Sequence, residues 1–204
     1  LTGATGFVGT ALLRDLLLNR EAISLKRVIL ICRRKGSSSS KARIERLLSK
    51  PIFDFLTQDE KTSLIEVVEG DVTTKSAGLC PMDLARIIQD DTISHVIHCA
   101  AAVSFTMELP NAAESNVTSS LNMQVLTGQL KNKDAQLVHI STAFVHGGNT
   151  GSEKNPLPED LFDFQSYDPN EIYRSMVGTQ YYASKVMSDL GFPNTYSFSK
   201  SVCE

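Results

Sequence analysis

Gly3, Gly6 and Gly9 stand at equal three-residue intervals in Leu1-Thr2-Gly3-Ala4-Thr5-Gly6-Phe7-Val8-Gly9, and an amphipathic run from Thr10 to Leu18 follows without a break. A glycine-rich turn that opens a helix leaves few folds available. Glycine reaches backbone angles closed to other residues and lets another group approach the main chain closely. The unpaired N–H groups at the helix start, together with the helix dipole, favour an anion. The spacing therefore predicts a phosphate-binding turn. The alternative is a turn of small residues with no ligand, and the rest of the chain decides between them.

Downstream, short apolar runs alternate with helical patterns. Lys26 to Cys32, Leu64 to Val68, His95 to Cys99 and Gln136 to Ile140 read as strands, the first an almost continuous β-branched run like a strand covered on both faces. Ala42 to Leu48, Met82 to Gln89 and a long stretch from Asn111 to Leu130 read as helices. Such alternation implies right-handed βαβ units, hence an α/β fold with a doubly wound parallel sheet and helices on both faces, the Rossmann-like arrangement. Ser37 to Ser40 is a polar loop. Gly147 to Gly178, rich in proline and acidic residues, reads as mostly loop, with two helical stretches after it.

Composition narrows the class. Apolar residues make up 42% and charged residues 21%, ordinary for a globular chain, and the formal charge of −3 suggests neither nucleic acid nor an anionic membrane as partner. No apolar run approaches the roughly 18 residues of a membrane-spanning helix, and no secretory signal opens the chain. Cys32, Cys80, Cys99 and Cys203 are scattered with no C-x-x-C pair, so no metal site is expected and an intracellular, reducing compartment fits best. Only Leu1 and Thr2 precede Gly3, where a buried strand usually has about five or six residues. The expectation is a fragment cut inside its first strand, and cut again in an apparent helix at Ser201 to Glu204.

Three places carry the chemistry of a dinucleotide site. After the strand that ends at Cys32, where such folds read the adenosine ribose, the chain offers Arg33 and Arg34 and no carboxylate. Guanidinium forks suit a 2′-phosphate, so NADPH is expected rather than NADH. Asp71 and Val72 follow the next strand, where an adenine amine could be accepted. Ala100 and Ala101 follow the one after, where small residues let the backbone run close to a cofactor. His98 has no second ligand in view and reads as core.

For catalysis, Tyr196-Ser197-Phe198-Ser199-Lys200 places a phenol and an ammonium four apart, on one helix face. A neighbouring ammonium stabilises a phenolate, which suits proton transfer. Thr142 or Ser141, at the end of the last strand, could hold a substrate oxygen. Tyr181 and Lys185 show the same spacing, and spacing alone favours neither pair. Gly191 can end one helix and Asn194 or Thr195 can cap the next.

At this point the chain resembles the extended short-chain dehydrogenases/reductases. More narrowly, it resembles the reductase domain of alcohol-forming fatty acyl-CoA reductases. The matching segments run in order: Thr2 to Gly9, Ser49 to Asp54, Val68 to Thr73, Val96 to Ala101, His139 to Phe144 and Pro193 to Lys200. The resemblance implies one reductase domain over residues 1–204, with the substrate-binding C-terminal part absent. It implies Tyr196 and Lys200 as the catalytic pair, Thr142 in preference to Ser141 as their hydroxyl partner, and Tyr181 and Lys185 as part of an upstream insertion. The expected cofactor contacts are Gly3, Thr5, Gly6, Phe7, Val8, Gly9, Arg33, Arg34, Asp71, Val72, Ala100, Ala101, Asn116, Tyr196 and Lys200. Asn116 matches an asparagine often seen in the superfamily. Arg33-Arg34-Lys35-Gly36 varies the family's Arg-x-Lys-x-Gly-like turn, which leaves open which arginine meets the phosphate.

The resemblance further implies fatty acyl-CoA as substrate, a primary fatty alcohol formed through an aldehyde, and membrane association only through the absent C-terminal part, at the peroxisome or the endoplasmic reticulum. The alternatives are a thioester reductase acting on a carrier-bound acyl group, another extended reductase or epimerase acting on a sterol or nucleotide sugar, and a non-catalytic NADP-binding sensor.

Overall fold

The computed structural model describes residues 1–148 and 151–204, so Asn149 and Thr150, within the stretch read above as loop, lie outside the described residues. The chain forms two compact units. Leu1–Ala100 with Asn122–His139 make the first, and Ala101–Leu121 with Ile140–Glu204 make the second.

The first unit is a parallel α/β layer structure. β1 (Val28–Cys32) pairs in parallel with β2 (Ile65–Glu69), from Val28 opposite Ile65 to Cys32 opposite Glu69. β3 (His95–His98) pairs in parallel with β4 (Gln136–His139), from His95 opposite Gln136 to His98 opposite His139. Thr2 bridges the two pairs, lying parallel to Ile31 on one side and His98 on the other. Side chains alternate across a strand with period 2. Val28, Leu30 and Cys32 therefore pack on one face with Leu13 and Leu17 of α1 (Phe7–Leu18) and with Ile44, Leu47 and Leu48 of α2 (Ser40–Leu48). Ile29 and Ile31 pack on the other with α4 (Pro81–Gln89), which follows α3 (Gln58–Leu64), and with Met123, Leu126 and Leu130. Helices thus cover both faces. An apolar cavity of about 480 Å³ is lined by Leu1, Leu25, Ile29, Ile93, Ile97 and Met123, from the N-terminal ends of β1 and β3.

The long helix expected from Asn111 to Leu130 is present in three segments: α5 (Leu109–Ala112), a π-helical stretch (Ala113–Thr118) and α6 (Ser119–Gln129). Two further helices fall where none was expected. α3 begins with a capping box, in which Thr57 accepts the Glu60 N–H and Glu60 accepts the Thr57 N–H. α7 (Pro169–Val177) lies inside the stretch expected to be mostly loop. There Asp168 caps the helix, Pro169 sits in its first turn, where a missing N–H does no harm, and Ile172 and Met176 bury one face. In the second unit Leu109, Phe164, Ile172, Met176, Ala183, Val186, Phe192 and Phe198 form the core.

Several surface carboxylates are stabilised in their charged form. The Thr92 hydroxyl, the Thr92 N–H and Arg27 hold Asp90 below the usual carboxylate range. Hydrogen bonds from Thr57 do the same for Glu60, from Cys80 and Arg86 for Asp83, from Asn170 for Asp168, and from Lys185 and Tyr167 for Asp189. Each folded-state pKa lies below the unfolded one, so the unfolded chain binds more protons in acid. The stabilisation is complete above about pH 5 and is lost as pH falls below about 4. The urea midpoint is accordingly expected to fall between pH 6 and pH 3, and to fall less in Asp90→Asn. A midpoint that stays constant over that range would show these contacts to be energetically silent.

Candidate active site

The phosphate-binding features lie in the first unit. Gly3 has φ +70°, and a Cβ there would come within 2.6 Å of the Ala100 nitrogen and the Cys99 carbonyl carbon. Only a glycine lets the turn lie this close to the end of β3. The Gly6 N–H donates to the Gly3 carbonyl at 2.9 Å, and the Thr10 hydroxyl donates to the Ala4 carbonyl at 2.9 Å. α1 then begins at Phe7 with Gly6 as its cap residue, no side-chain cap and no acidic residue in the first turn. Thr5, Phe7 and Val8 are exposed around this helix start, and Gly9 is buried. A helix start with open donors and no competing carboxylate is suited to a phosphate group.

Arg33 and Arg34 follow β1 directly and stand largely in solvent, with Arg33 3.7 Å from Asp71 and Arg34 3.9 Å from Glu69. The structure adds a residue that the sequence reasoning missed. Arg43 of α2 donates to the Thr5 hydroxyl at 3.0 Å and also to the Arg33 carbonyl, so a third guanidinium joins the glycine turn to the arginine pair. Its only sequence signal was a basic residue in the first turns of a helix capped by Ser39, and nothing in the spacing linked position 43 to position 5. Asp71 accepts from the Thr73 N–H and hydroxyl at 3.1 and 2.9 Å, and the Val72 carbonyl accepts from Asn122 at 2.9 Å. The Ala100 N–H donates to the Thr2 hydroxyl at 3.2 Å. His98 is buried and shares a 2.8 Å hydrogen bond with Thr2, as a core histidine would. Three arginines and an uncapped helix start suit the phosphate groups of a nucleotide.

The second unit holds the candidate catalytic groups. Asn194 caps α9 (Thr195–Cys203) by accepting the Ser197 N–H at 2.9 Å, so Tyr196 enters in the first turn and Lys200 one turn later. Ser197 to Ser201 are all buried, Lys200 to 1% exposure. The Lys200 ammonium donates to the Ile140 carbonyl at 2.7 Å, which places it against the residue immediately before Ser141 and Thr142. The Ser141 hydroxyl is buried with no hydrogen-bond partner among the described residues. The Thr142 hydroxyl accepts a long bond, 3.4 Å, from the Phe144 N–H. Ala101 is exposed. Tyr196 is half-buried, its ring 6.0 Å from that of Phe105.

Asn116 lies in the π-helical stretch, 1% exposed. Its oxygen accepts the Ala102 N–H at 2.8 Å, and its amide donates to the Ser199 hydroxyl at 2.9 Å and to the Ala102 carbonyl at 3.3 Å. Its amide is therefore engaged by α9 and by the segment at Ala102. The second Tyr/Lys pair sits in a different environment. Tyr181 opens α8 (Tyr181–Asp189) at 79% exposure, and Lys185 is held by Asp189 at 2.9 Å on the surface. Among the described residues no His, Cys, Asp and Glu cluster could hold a metal ion.

A parallel sheet covered on both faces, with a glycine turn leading into its first helix, defines a Rossmann-type α/β domain. The chain belongs to the family described as male sterility protein, an NAD-binding domain family whose model matches residues 1–204. It is 31% identical over 212 residues to a Drosophila melanogaster protein provisionally named fatty acyl-CoA reductase CG8306, covering 100% of this chain and 39% of that one. It is 29% identical over 213 residues to Homo sapiens fatty acyl-CoA reductase 1, covering 100% of this chain and 38% of that one. The chain thus spans well under half the length of the curated relatives it matches. Among solved structures, the terminal R domain from the myxalamid PKS-NRPS biosynthetic pathway matches with a TM-score of 0.66 at 21% identity, over 99% of this chain and 42% of that one. That likeness concerns the fold.

Proposed function

We propose that this chain is the cofactor-binding and catalytic part of an NADPH-dependent reductase that converts fatty acyl-CoA to a primary fatty alcohol by way of the aldehyde. The observation that carries the reading is the buried Lys200, whose ammonium donates to the Ile140 carbonyl just before Ser141 and Thr142, on the helix that also bears Tyr196. The names of the curated relatives support the substrate class.

When bound, the nicotinamide cofactor supplies hydride to the acyl carbonyl carbon, first at the thioester and then at the aldehyde. The chain's residues do the rest. The open start of α1 holds the pyrophosphate, and Arg33, Arg34 and Arg43 hold the 2′-phosphate that distinguishes NADPH. The Thr142 hydroxyl donates to the substrate oxygen as negative charge develops on it, a contact that is stronger in the transition state than in the ground state. In the first reduction the oxygen's electrons re-form the carbonyl, the C–S bond breaks and CoA leaves as the thiolate. In the second, Tyr196 gives its proton to the alkoxide. Lys200 stabilises the phenolate left behind and offers a hydrogen bond to the nicotinamide ribose.

The test is to incubate the complete protein with a long-chain acyl-CoA and either NADPH or NADH. The expected result is fatty alcohol with two NADPH consumed per thioester, and much slower turnover with NADH. Neither alcohol nor aldehyde formed with either cofactor would overturn the reading.

A further inference from the structure

We propose that the segment Ala102–Met107 seats the acyl chain of the substrate beside Tyr196, with Val103 and Phe105 as its specificity-determining side chains; this rests on the reductase reading above. The segment is fixed at both ends. Asn116 binds Ala102 through both its N–H and its carbonyl, at 2.8 and 3.3 Å, and the Thr195 hydroxyl donates to the Met107 carbonyl at 2.7 Å. Both anchors lead to the helix that carries Tyr196. Thr195 precedes the tyrosine directly, and Asn116 also binds Ser199 at 2.9 Å, whose hydroxyl in turn donates to the Tyr196 carbonyl at 3.0 Å.

Held this way, the segment turns two apolar side chains outward. Val103 is 70% exposed and Phe105 is 62% exposed. Single exposed apolar residues are common and need no explanation. Phe105 differs because its ring lies against that of the candidate proton donor, 6.0 Å between centroids at 45°. A carbonyl within reach of the tyrosine hydroxyl must send its substituent over a neighbouring surface, and this segment supplies one. Val103, Ser104, Phe105, Thr106 and Met107 include no charged side chain. Such a surface gains from covering by methylenes and offers nothing to a phosphorylated sugar.

The experiment compares kcat/KM for palmitoyl-CoA and butyryl-CoA in the complete protein and in its Val103→Ser, Phe105→Ser and Phe105→Leu variants. The long-to-short ratio is expected to fall about tenfold or more in the two serine variants and to be largely restored in Phe105→Leu, since a few methylene contacts discriminate on that scale. An unchanged ratio, or a parallel loss for both thioesters that marks Phe105 as a support for Tyr196 alone, would overturn the seat while leaving the reductase reading intact. A wild-type protein that turns over neither thioester overturns the parent reading, and the seat with it.

Discussion

Replacing Tyr196 by Phe in the complete protein is expected to lower acyl-CoA-dependent NADPH oxidation by about 10²- to 10⁴-fold, the range attributed to a positioned acid or base. The substitution deletes one hydroxyl from a half-buried ring and leaves the ring's packing on Phe105 in place. Folding and NADPH affinity should therefore change little, and kcat should carry most of the loss. Tyr181→Phe is the matched control. It has the same spacing to a lysine, but it stands 79% exposed, and its lysine partners Asp189. Turnover undiminished in Tyr196→Phe, or a collapse in Tyr181→Phe, would move the chemistry to the other helix.

The second large effect is expected at Gly9. A Cβ there would lie 2.2 Å from the Gly3 carbonyl oxygen, 2.7 Å from the Gly3 carbonyl carbon and 3.0 Å from the Ala4 Cα. All three are backbone atoms of the phosphate turn, so the neighbour cannot rotate away and α1 must lift from the turn. Gly9→Ala should destabilise the chain by about 3 kcal/mol or more, the upper range for overpacking. Two other glycines separate the causes. Gly36 has φ +58° with nothing within 4 Å of an added Cβ, so Gly36→Ala carries only the conformational penalty, on the order of 1–2 kcal/mol. Gly128 lies within α6 in open space, and Gly128→Ala should stabilise by about 0.5–1 kcal/mol. Urea unfolding of the three variants gives the ranking. A Gly9→Ala variant no weaker than Gly36→Ala would show that the turn tolerates a side chain.

The parallel α/β architecture was legible because its signals are local and redundant. The strand at Val28 to Cys32 alternates between two helical layers, and a continuous apolar run is what such a strand requires. Two helices went unread for identifiable reasons. The Thr57/Glu60 capping box was present in the sequence, but with no apolar stripe behind it: α3 buries none of its residues. Pro169 and its acidic neighbours suggested a loop, although proline in a first turn and aspartate at a cap are helix-start signals. The π-helical stretch at Ala113–Thr118 leaves no trace in hydrophobic periodicity. Arg43 meets Thr5 only through the fold, 38 positions away in the chain. For the two Tyr/Lys pairs, spacing was silent and burial differs: the helix at Thr195 buries its lysine, and the helix at Tyr181 presents its lysine to solvent.

The uncapped start of α1 ties folding to ligand supply. Ser39, Thr57, Asp168 and Asn194 each satisfy a first-turn N–H of their helix with a side chain, whereas Gly6 has none to offer. The folded chain therefore keeps unsatisfied donors at a helix start where an anion from outside can complete them. Any phosphate that binds there and not to the unfolded chain adds RT ln(1 + [L]/Kd) to stability, about 2.7 kcal/mol at a hundredfold excess over Kd. The lifetime of such a protein in a cell would then follow the nucleotide pool, rising and falling with it even when no substrate is present.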